Sequence, residues 1–210
     1  PAFTNYVEGI YVGYKYYETA AQEGAIDYDK TVQYPFGYGL SYTEFEQKMG
    51  ELEEKDGQIS VDVEVTNTGD VAGKDVVEVY YNPPYTNGGI EKSSANLIEF
   101  AKTDLLQPGE SQTVTVTFSI EDMASYDENN AEAYVLEKGD YVISINSDSH
   151  TVLDQKTYTA DTDVVYEEEN KRVSDDTAAT NVFEDAKGDV TYLSRADHFA
   201  NYKEATAEPA

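Results

Sequence analysis

The side chains best equipped for acid–base or metal chemistry in this sequence are 42 carboxylates and two histidines, His150 and His198, with no cysteine beside them. Two histidines are too few for a histidine-based metal centre unless carboxylates complete it, and each reads as a lone surface residue. Without cysteine there are no disulfides and no thiolate metal sites, although the compartment is not fixed by that absence. Asp161-x-Asp163 with Glu167 has spacing like part of a calcium loop but lacks the central glycine of such loops. Gly37-x-Gly39 lacks the third glycine and the following helix of a dinucleotide-binding turn. Serine together with His150 has no nucleophile elbow around it. With so many acidic residues, close carboxylate pairs arise by accident, and none is marked out as catalytic. The expectation is therefore no catalytic residue, no metal and no cofactor within this chain.

The formal net charge is −28, from 14 basic and 42 acidic residues. Nucleic-acid binding needs clustered Lys and Arg against the phosphates, so a nucleic-acid partner is excluded, as is an anionic membrane surface. No run of 18 apolar residues could span a bilayer. The charge serves solubility first. Hydrophobic residues make up 40%, with 19 Tyr and 7 Phe, which is enough apolar material to bury a core and too much for a disordered chain. The opening Pro1-Ala2-Phe3 has neither Met nor an apolar signal stretch, so processing or excision from a longer protein is expected. The compartment is open, and a soluble, bacterial-type cytoplasmic setting is favoured over a secreted one.

Three zones follow from pattern. Residues 1–42 are dense in Tyr and Gly: Tyr6, Tyr11, Tyr14, Tyr16 and Tyr17, then Pro35-Phe36-Gly37-Tyr38-Gly39-Leu40-Ser41-Tyr42. Three Gly or Pro residues in five positions disfavour a regular element at 35–39. This zone has no strong apolar partner of its own and should lean on the next domain or on one outside the chain.

Residues 43–160 read as all-β. Ile59, Val61, Val63 and Val65 alternate with polar residues at period two, and Asn67-Thr68-Gly69-Asp70 supplies a turn. Residues 76–81 are apolar on both faces, which predicts a central strand ended by Pro83-Pro84. A strand is expected over 96–103, with Leu97 and Phe100 as its larger apolar residues. After the Gln107-Pro108-Gly109-Glu110 turn, Val114, Val116 and Phe118 face one way and Thr113, Thr115 and Thr117 the other. Lys138-Gly139-Asp140 turns the chain into Tyr141, Ile143 and Ile145, and a last strand is expected over 151–159. About seven strands separated by turns predict an immunoglobulin or fibronectin type III-like antiparallel β-sandwich, with irregular N- and C-terminal extensions. Its core should hold Val61, Val63, Val77, Val79, Val114, Val116, Phe118, Tyr141 and Ile143.

Residues 161–210 are acidic and carry isolated apolar anchors at Val182-Phe183, Tyr192-Leu193, Phe199 and Tyr202. An extended interdomain linker is expected, with Phe183, Tyr192, Leu193 and Phe199 pinned to other domains.

The order of segments then resembles a known family. The stretch Glu8-Gly9-Ile10-Tyr11-Val12-Gly13-Tyr14-Lys15-Tyr16-Tyr17 resembles the close of the α/β sandwich domain of family 3 glycoside hydrolases. Tyr34-Pro35-Phe36-Gly37-Tyr38-Gly39-Leu40-Ser41-Tyr42-Thr43-Glu44-Phe45 is similar to the lead into their fibronectin type III-like domain. Val65-Thr66-Asn67-Thr68-Gly69-Asp70-Val71-Ala72-Gly73-Lys74, Leu105-Leu106-Gln107-Pro108-Gly109-Glu110-Ser111 and Glu137-Lys138-Gly139-Asp140-Tyr141 resemble turns of that domain.

The resemblance implies that residues 1–42 end an α/β sandwich domain and lead out of it. Residues 43–160 would be the fibronectin type III-like sandwich and 161–210 an acidic interdomain linker. It also implies a parent with retaining β-glucosidase-like or β-xylosidase-like chemistry, whose two carboxyl groups sit about 5–5.5 Å apart. In the family the nucleophile is an Asp of a TIM barrel, following Ser and preceding an aromatic residue; the acid/base is usually a Glu of the α/β sandwich. Ser174-Asp175 is followed by Asp176 and Ser147-Asp148 by Ser149, so neither fits. The implied partners are those two catalytic domains of the same polypeptide, and the long extension resembles members in which the barrel comes last. Tyr14, Tyr16 and Tyr17 could line the substrate cleft of the parent, with packing between domains as the preferred role. The competing class is a stand-alone immunoglobulin-like binding or adhesin module, which would have no reason to carry residues 1–42.

Overall fold

The computed structural model describes residues 4–183 and 186–208. Pro1-Ala2-Phe3, the Glu184-Asp185 pair beside the Val182-Phe183 anchor, and the terminal Pro209-Ala210 lie outside the described residues.

Among the described residues ten strands form two facing sheets and a small third one, all antiparallel. The first sheet has the order β1 (Phe45–Lys55), β2 (Gln58–Asn67), β5 (Ser111–Ser119). The second runs β4 (Asn96–Lys102), β3 (Val76–Asn82), β8 (Gly139–Asn146), β9 (Val152–Ala160). The third joins β10 (Val164–Tyr166), β7 (Ala133–Leu136) and β6 (Ser125–Asp127). All nine residues expected in the core are buried. The register explains why: Ile59 sits opposite Phe118, Val61 opposite Val116 and Val63 opposite Val114, so one face of the β2–β5 ladder is continuously apolar. Thr113, Thr115 and Thr117 are exposed on the other face. β3 is central between β4 and β8, as its two-sided apolar pattern requires.

Four features differ from the sequence expectation. β1 escapes periodicity because a bulge between Met49 and Leu52 shifts the inward phase midway, and its outward positions are charged. The third sheet is built of strands of three or four residues, too short to show a period. Phe100 stands opposite Glu78 on the outward side of β4 and is 60% exposed, so it is not a core residue. Within the Tyr-rich zone, residues Tyr14–Gln22 form a helix, α1, which aromatic-rich sequence does not announce.

The turn after β2 is a hub rather than a simple loop. Asn67 is fully buried; its Oδ1 accepts from Thr43 Oγ1 (2.7 Å) and the Gly69 N–H (3.1 Å). Its Nδ2 donates to the carbonyls of Val71 (2.8 Å) and Leu106 (2.9 Å). A Cβ on Gly69 would lie 2.7 Å from the Glu44 amide nitrogen, so the close approach admits only glycine.

The C-terminal segment returns to the N-terminal one. The Leu193 N–H donates to Val7 O (2.7 Å), and Leu193, Phe199 and Ala205 bury with Tyr11 and Ala20 in a second apolar cluster. Phe199 meets Tyr11 and Tyr16 edge-on at 5.0 and 5.5 Å. Leu193 and Phe199, expected to be pinned to other domains, find partners within the chain, in the helix and turn of residues 11–26. Val182 and Phe183 are 77% and 74% exposed and make no such anchor here.

Candidate functional site

Helix α1 decides what the outer face of the four-stranded sheet presents. It lies across β3 and β4: Tyr14 OH accepts from the Leu97 N–H (3.0 Å), Thr19 Oγ1 from the Ser94 N–H (2.9 Å) and Gln22 Oε1 from Asn82 Nδ2 (3.2 Å). This cover explains why Tyr80, Ser144 and Asn146, which point away from the core, are nevertheless buried.

The three tyrosines singled out by sequence do not converge. Tyr14 and Tyr17 stand at i and i+3 and share one face of α1. With Tyr28, Tyr34 and Phe36 they line a shallow recess of about 470 Å³. The Tyr14 ring stacks on Phe36 at 4.8 Å and meets Tyr80 edge-on at 6.2 Å, and burial holds its hydroxyl pKa above the ordinary tyrosine value. Tyr16 packs against Phe199 and Tyr202 and meets Tyr17 edge-on at 5.3 Å. Tyr17 is 40% exposed and is the most accessible of the three.

From the recess a run of exposed apolar side chains continues along the chain: Tyr34, Phe36, Tyr38, Leu40 and Tyr42 are 62, 50, 48, 90 and 97% exposed. The run is held in place. Phe36 O accepts from the Ser149 N–H at 2.8 Å, and Gly37, at φ +85°, lets the backbone pass where a Cβ would lie 2.9 Å from the Glu78 carboxylate. The Pro-Phe-Gly segment is thus fixed against β3 and the turn after β8, with the Phe36 ring stacked on Tyr14.

Several carboxylates are occupied with structure. Glu18 Oε1 accepts from Tyr28 OH (2.6 Å) and Ser149 Oγ (2.8 Å), and its Oε2 pairs with His150 Nδ1 (2.8 Å), whose ring stacks on Tyr28 at 3.7 Å. His198 pairs with Glu23 (2.7 Å). Both histidines are therefore carboxylate partners rather than bare surface residues. Asp148 caps its own turn through the N–H groups of His150 and Thr151 (2.9 and 2.7 Å). Asp175 is gripped by both arms of Arg172 (2.9 and 3.0 Å), which holds its carboxyl below the usual range. Burial raises Glu78, with Tyr80 OH donating to it at 2.9 Å. Asp163 accepts from the Lys138 N–H (2.7 Å). Among the described residues no group of three His, Asp or Glu side chains is gathered as metal ligands would be.

Sequence reasoning missed a polar cluster that ties the two ends of the chain together. Glu91 accepts from Tyr11 OH, Ser194 Oγ and the Arg195 N–H (2.9 Å). Arg195, 3% exposed, donates to Glu23 Oε1 (2.6 Å) and Lys92 O (3.0 Å) and lies 4.0 Å over the Tyr85 ring. Its partners are 103 to 172 positions away in sequence, so no local signal could have revealed it.

Residues 75–149 match the fibronectin type III-like domain family. The chain is 43% identical over 157 residues to β-glucosidase A of Butyrivibrio fibrisolvens, a match covering 66% of this chain and 18% of that protein. It is 36% identical over 202 residues to a β-glucosidase of Ruminococcus albus, covering 93% of this chain and 20% of that protein. Among solved structures, it superposes on a β-glucosidase from Paenibacillus barengoltzii with a TM-score of 0.67 at 39% identity, covering 76% of this chain and 18% of that one. The β-glucosidase of Kluyveromyces marxianus in complex with glucose gives a TM-score of 0.67 at 32% identity, covering 77% and 18%. The chain therefore spans about a fifth of the length of the relatives it matches.

Proposed function

We propose that this chain, a fibronectin type III-like module of a family 3 glycoside hydrolase with its flanking segments, buttresses the catalytic domains of a β-glucosidase-type parent enzyme. One observation carries the reading: a run from Tyr34 to Tyr42, anchored at Phe36 and Gly37, exposes its aromatic and aliphatic side chains on a chain of net charge −28. A contiguous apolar face of this kind marks a surface meant to be covered. The relatives are about five times longer than this chain, so the cover is supplied by the rest of the same polypeptide.

In this reading residues 1–42 close an α/β sandwich domain that carries the acid/base Glu. Residues 43–160 are the fibronectin type III-like sandwich, and residues 161–210 are an acidic strap leading to a TIM barrel that carries the nucleophilic Asp. The two carboxyls then act as a retaining pair on β-linked glucosides or xylosides. The Ruminococcus albus match extends over 93% of this chain and so takes in most of the segment after residue 160, which this reading treats as the strap to a barrel that comes last. Tyr17 is the best placed of the three tyrosines to approach a neighbouring domain, whereas Tyr14 and Tyr16 are held by Phe36 and Phe199. No helix of the described residues is long and apolar enough to cross a membrane. We place the parent in a bacterial-type cytoplasm, which cell fractionation checks.

Reading the gene on both sides of this segment tests the proposal. An α/β sandwich upstream and a barrel downstream support it; a barrel lying wholly upstream removes the barrel-last order. Flanks with no glycosidase domain on either side defeat the reading altogether.

A further inference from the structure

Asn87 and Gly88 lie in the exposed loop between β3 and β4 and form the one Asn-Gly pair in the sequence. The Asn87 side chain is a clamp. Its Oδ1 accepts from the Asp197 N–H and its Nδ2 donates to Asp197 Oδ1, both at 2.8 Å and across 110 positions of sequence. Asp197 begins a stretch that needs holding: Asp197, His198 and Phe199 have φ of +51°, +61° and +59°, consecutive non-glycine residues in the left-handed region. That backbone brings Cβ against the carbonyl oxygen and persists only where its surroundings over-determine it. The Asn87 amide holds the first residue, Glu23 holds the second through His198 Nδ1 (2.7 Å), and the Tyr11 and Tyr16 rings hold the third.

The same loop carries what an asparagine needs to lose its amide. A five-membered ring closes when the next backbone nitrogen attacks the side-chain carbonyl carbon, and a side chain on that next residue obstructs the approach. Gly88 has none, and even a Cβ built there would meet nothing within 4 Å. Both residues are exposed to the water that the reaction consumes. Among the described residues the Gly88 N–H meets only the Tyr85 hydroxyl, at a long 3.4 Å, so no backbone hydrogen bond locks the nitrogen. Asn146, which precedes Ser147, is by contrast buried in β8.

We propose that Asn87 is a site of spontaneous deamidation, and that its conversion unlatches the C-terminal segment. Base removes the Gly88 amide proton, the bond from Gly88 N to Asn87 Cγ forms, and the Cγ–Nδ2 bond breaks as ammonia leaves. Water then opens the cyclic imide at either carbonyl, giving aspartate or isoaspartate. The net change is amide plus water to acid plus ammonia, with no redox step. In the aspartate product the donor at Nδ2 is replaced by a carboxylate oxygen facing the Asp197 carboxylate, on a chain already at −28. One hydrogen bond is lost, and like charges meet where it was, at the residue that opens the left-handed turn. This chemistry is independent of the buttressing role, which stands whether or not Asn87 converts.

The experiment ages the 210-residue chain in mildly alkaline and, as a control, mildly acidic buffer. Peptide mass mapping with isoaspartate detection follows the modification, and native-state hydrogen exchange follows the segment. Conversion is expected at Asn87 ahead of every other asparagine, faster in alkaline buffer, and absent in Asn87→Gln, whose longer side chain does not close the five-membered ring. In the aged chain the amides of Leu193 and Arg195, which donate to Val7 O and Glu91, should exchange roughly tenfold faster or more, while Val61 and Val116 keep their protection. Fresh Asn87→Asp should show the same acceleration without ageing. It should exceed Asn87→Ala at low salt and converge with it as salt screens the charge. Three results would each overturn the proposal: Asn87 intact while other asparagines convert, Asn87→Asp exchanging at Leu193 and Arg195 like the original chain, or equal acceleration at Val61.

Discussion

Replacing Arg195 by alanine should release the C-terminal segment while leaving the sandwich intact. The guanidinium is buried, donates to Glu23 at 2.6 Å and to Lys92 O at 3.0 Å, and covers Tyr85 at 4.0 Å. A hydrogen bond to a charged group contributes about 1.5–3 kcal/mol and a cation–π contact about 0.5–1 kcal/mol. Removing one partner of a buried pair costs about 3–5 kcal/mol, but Glu23 keeps His198 at 2.7 Å, which places the loss at the lower end, about 3 kcal/mol. The segment's attachment should therefore open roughly 100-fold more often, at about 1.4 kcal/mol per factor of ten. Native-state hydrogen exchange reads this at the Leu193 amide, which donates to Val7 O. Exchange at Leu193 should accelerate by that factor while Val61 and Val116, in β2 and β5, keep their protection. Arg195→Lys, which retains charge but loses the planar fork, should fall between. Unchanged exchange at Leu193, or equal acceleration at Val61, would refute the idea of a locally pinned strap.

The same strap should loosen in acid. Burial alone would raise the Glu23 carboxyl, but hydrogen bonds from Arg195 and His198 outweigh it and hold the pKa below the ordinary 4.5. A depressed carboxyl contributes stability that is present above its unfolded pKa and lost as pH falls through the folded one. Leu193 protection, corrected for intrinsic exchange, should decline below about pH 4.5, and Glu23→Gln should abolish that decline. Asn67→Ala removes the side-chain partner of the Val71 carbonyl and of the buried Thr43 hydroxyl and should cost about 2–4 kcal/mol in a denaturant melt, whereas Gly69→Ala should cost about 1–3 kcal/mol through its clash with the Glu44 backbone. Ile143→Ala, at a fully buried site, should cost about 2–5 kcal/mol, against less than about 0.5 kcal/mol for the exposed Thr113→Ala; similar losses would overturn the register.

What could be read in advance follows the physics of each element. β2, β3, β5 and β8 announce themselves because burial on one or both faces writes a period of two, or an unbroken apolar run, into seven or more residues. β1 does not, since its bulge resets the phase, and the short strands of the third sheet have no room for a period. Helix α1 is nine residues with no capping side chain and three tyrosines, so its helicity comes from packing on β3 and β4 rather than from propensity. The exposed Tyr34–Tyr42 face was legible as an aromatic run in need of a partner. The clamps at Arg195 and Asn87 were not, because both are assembled from groups brought together only by the fold.

The central claim of the proposed function is that this chain supports glycoside chemistry without performing it: Asp175, Glu23, Glu18 and Asp148 are committed to Arg172, Arg195, His150 and a local turn. Incubating the purified 210-residue chain with aryl β-glucosides and β-xylosides tests this directly. Release of the aryl group should stay at the buffer background across the acidic and neutral range. Sustained turnover that disappears on Glu78→Gln, or on replacing any other Asp or Glu of this chain, would contradict the account.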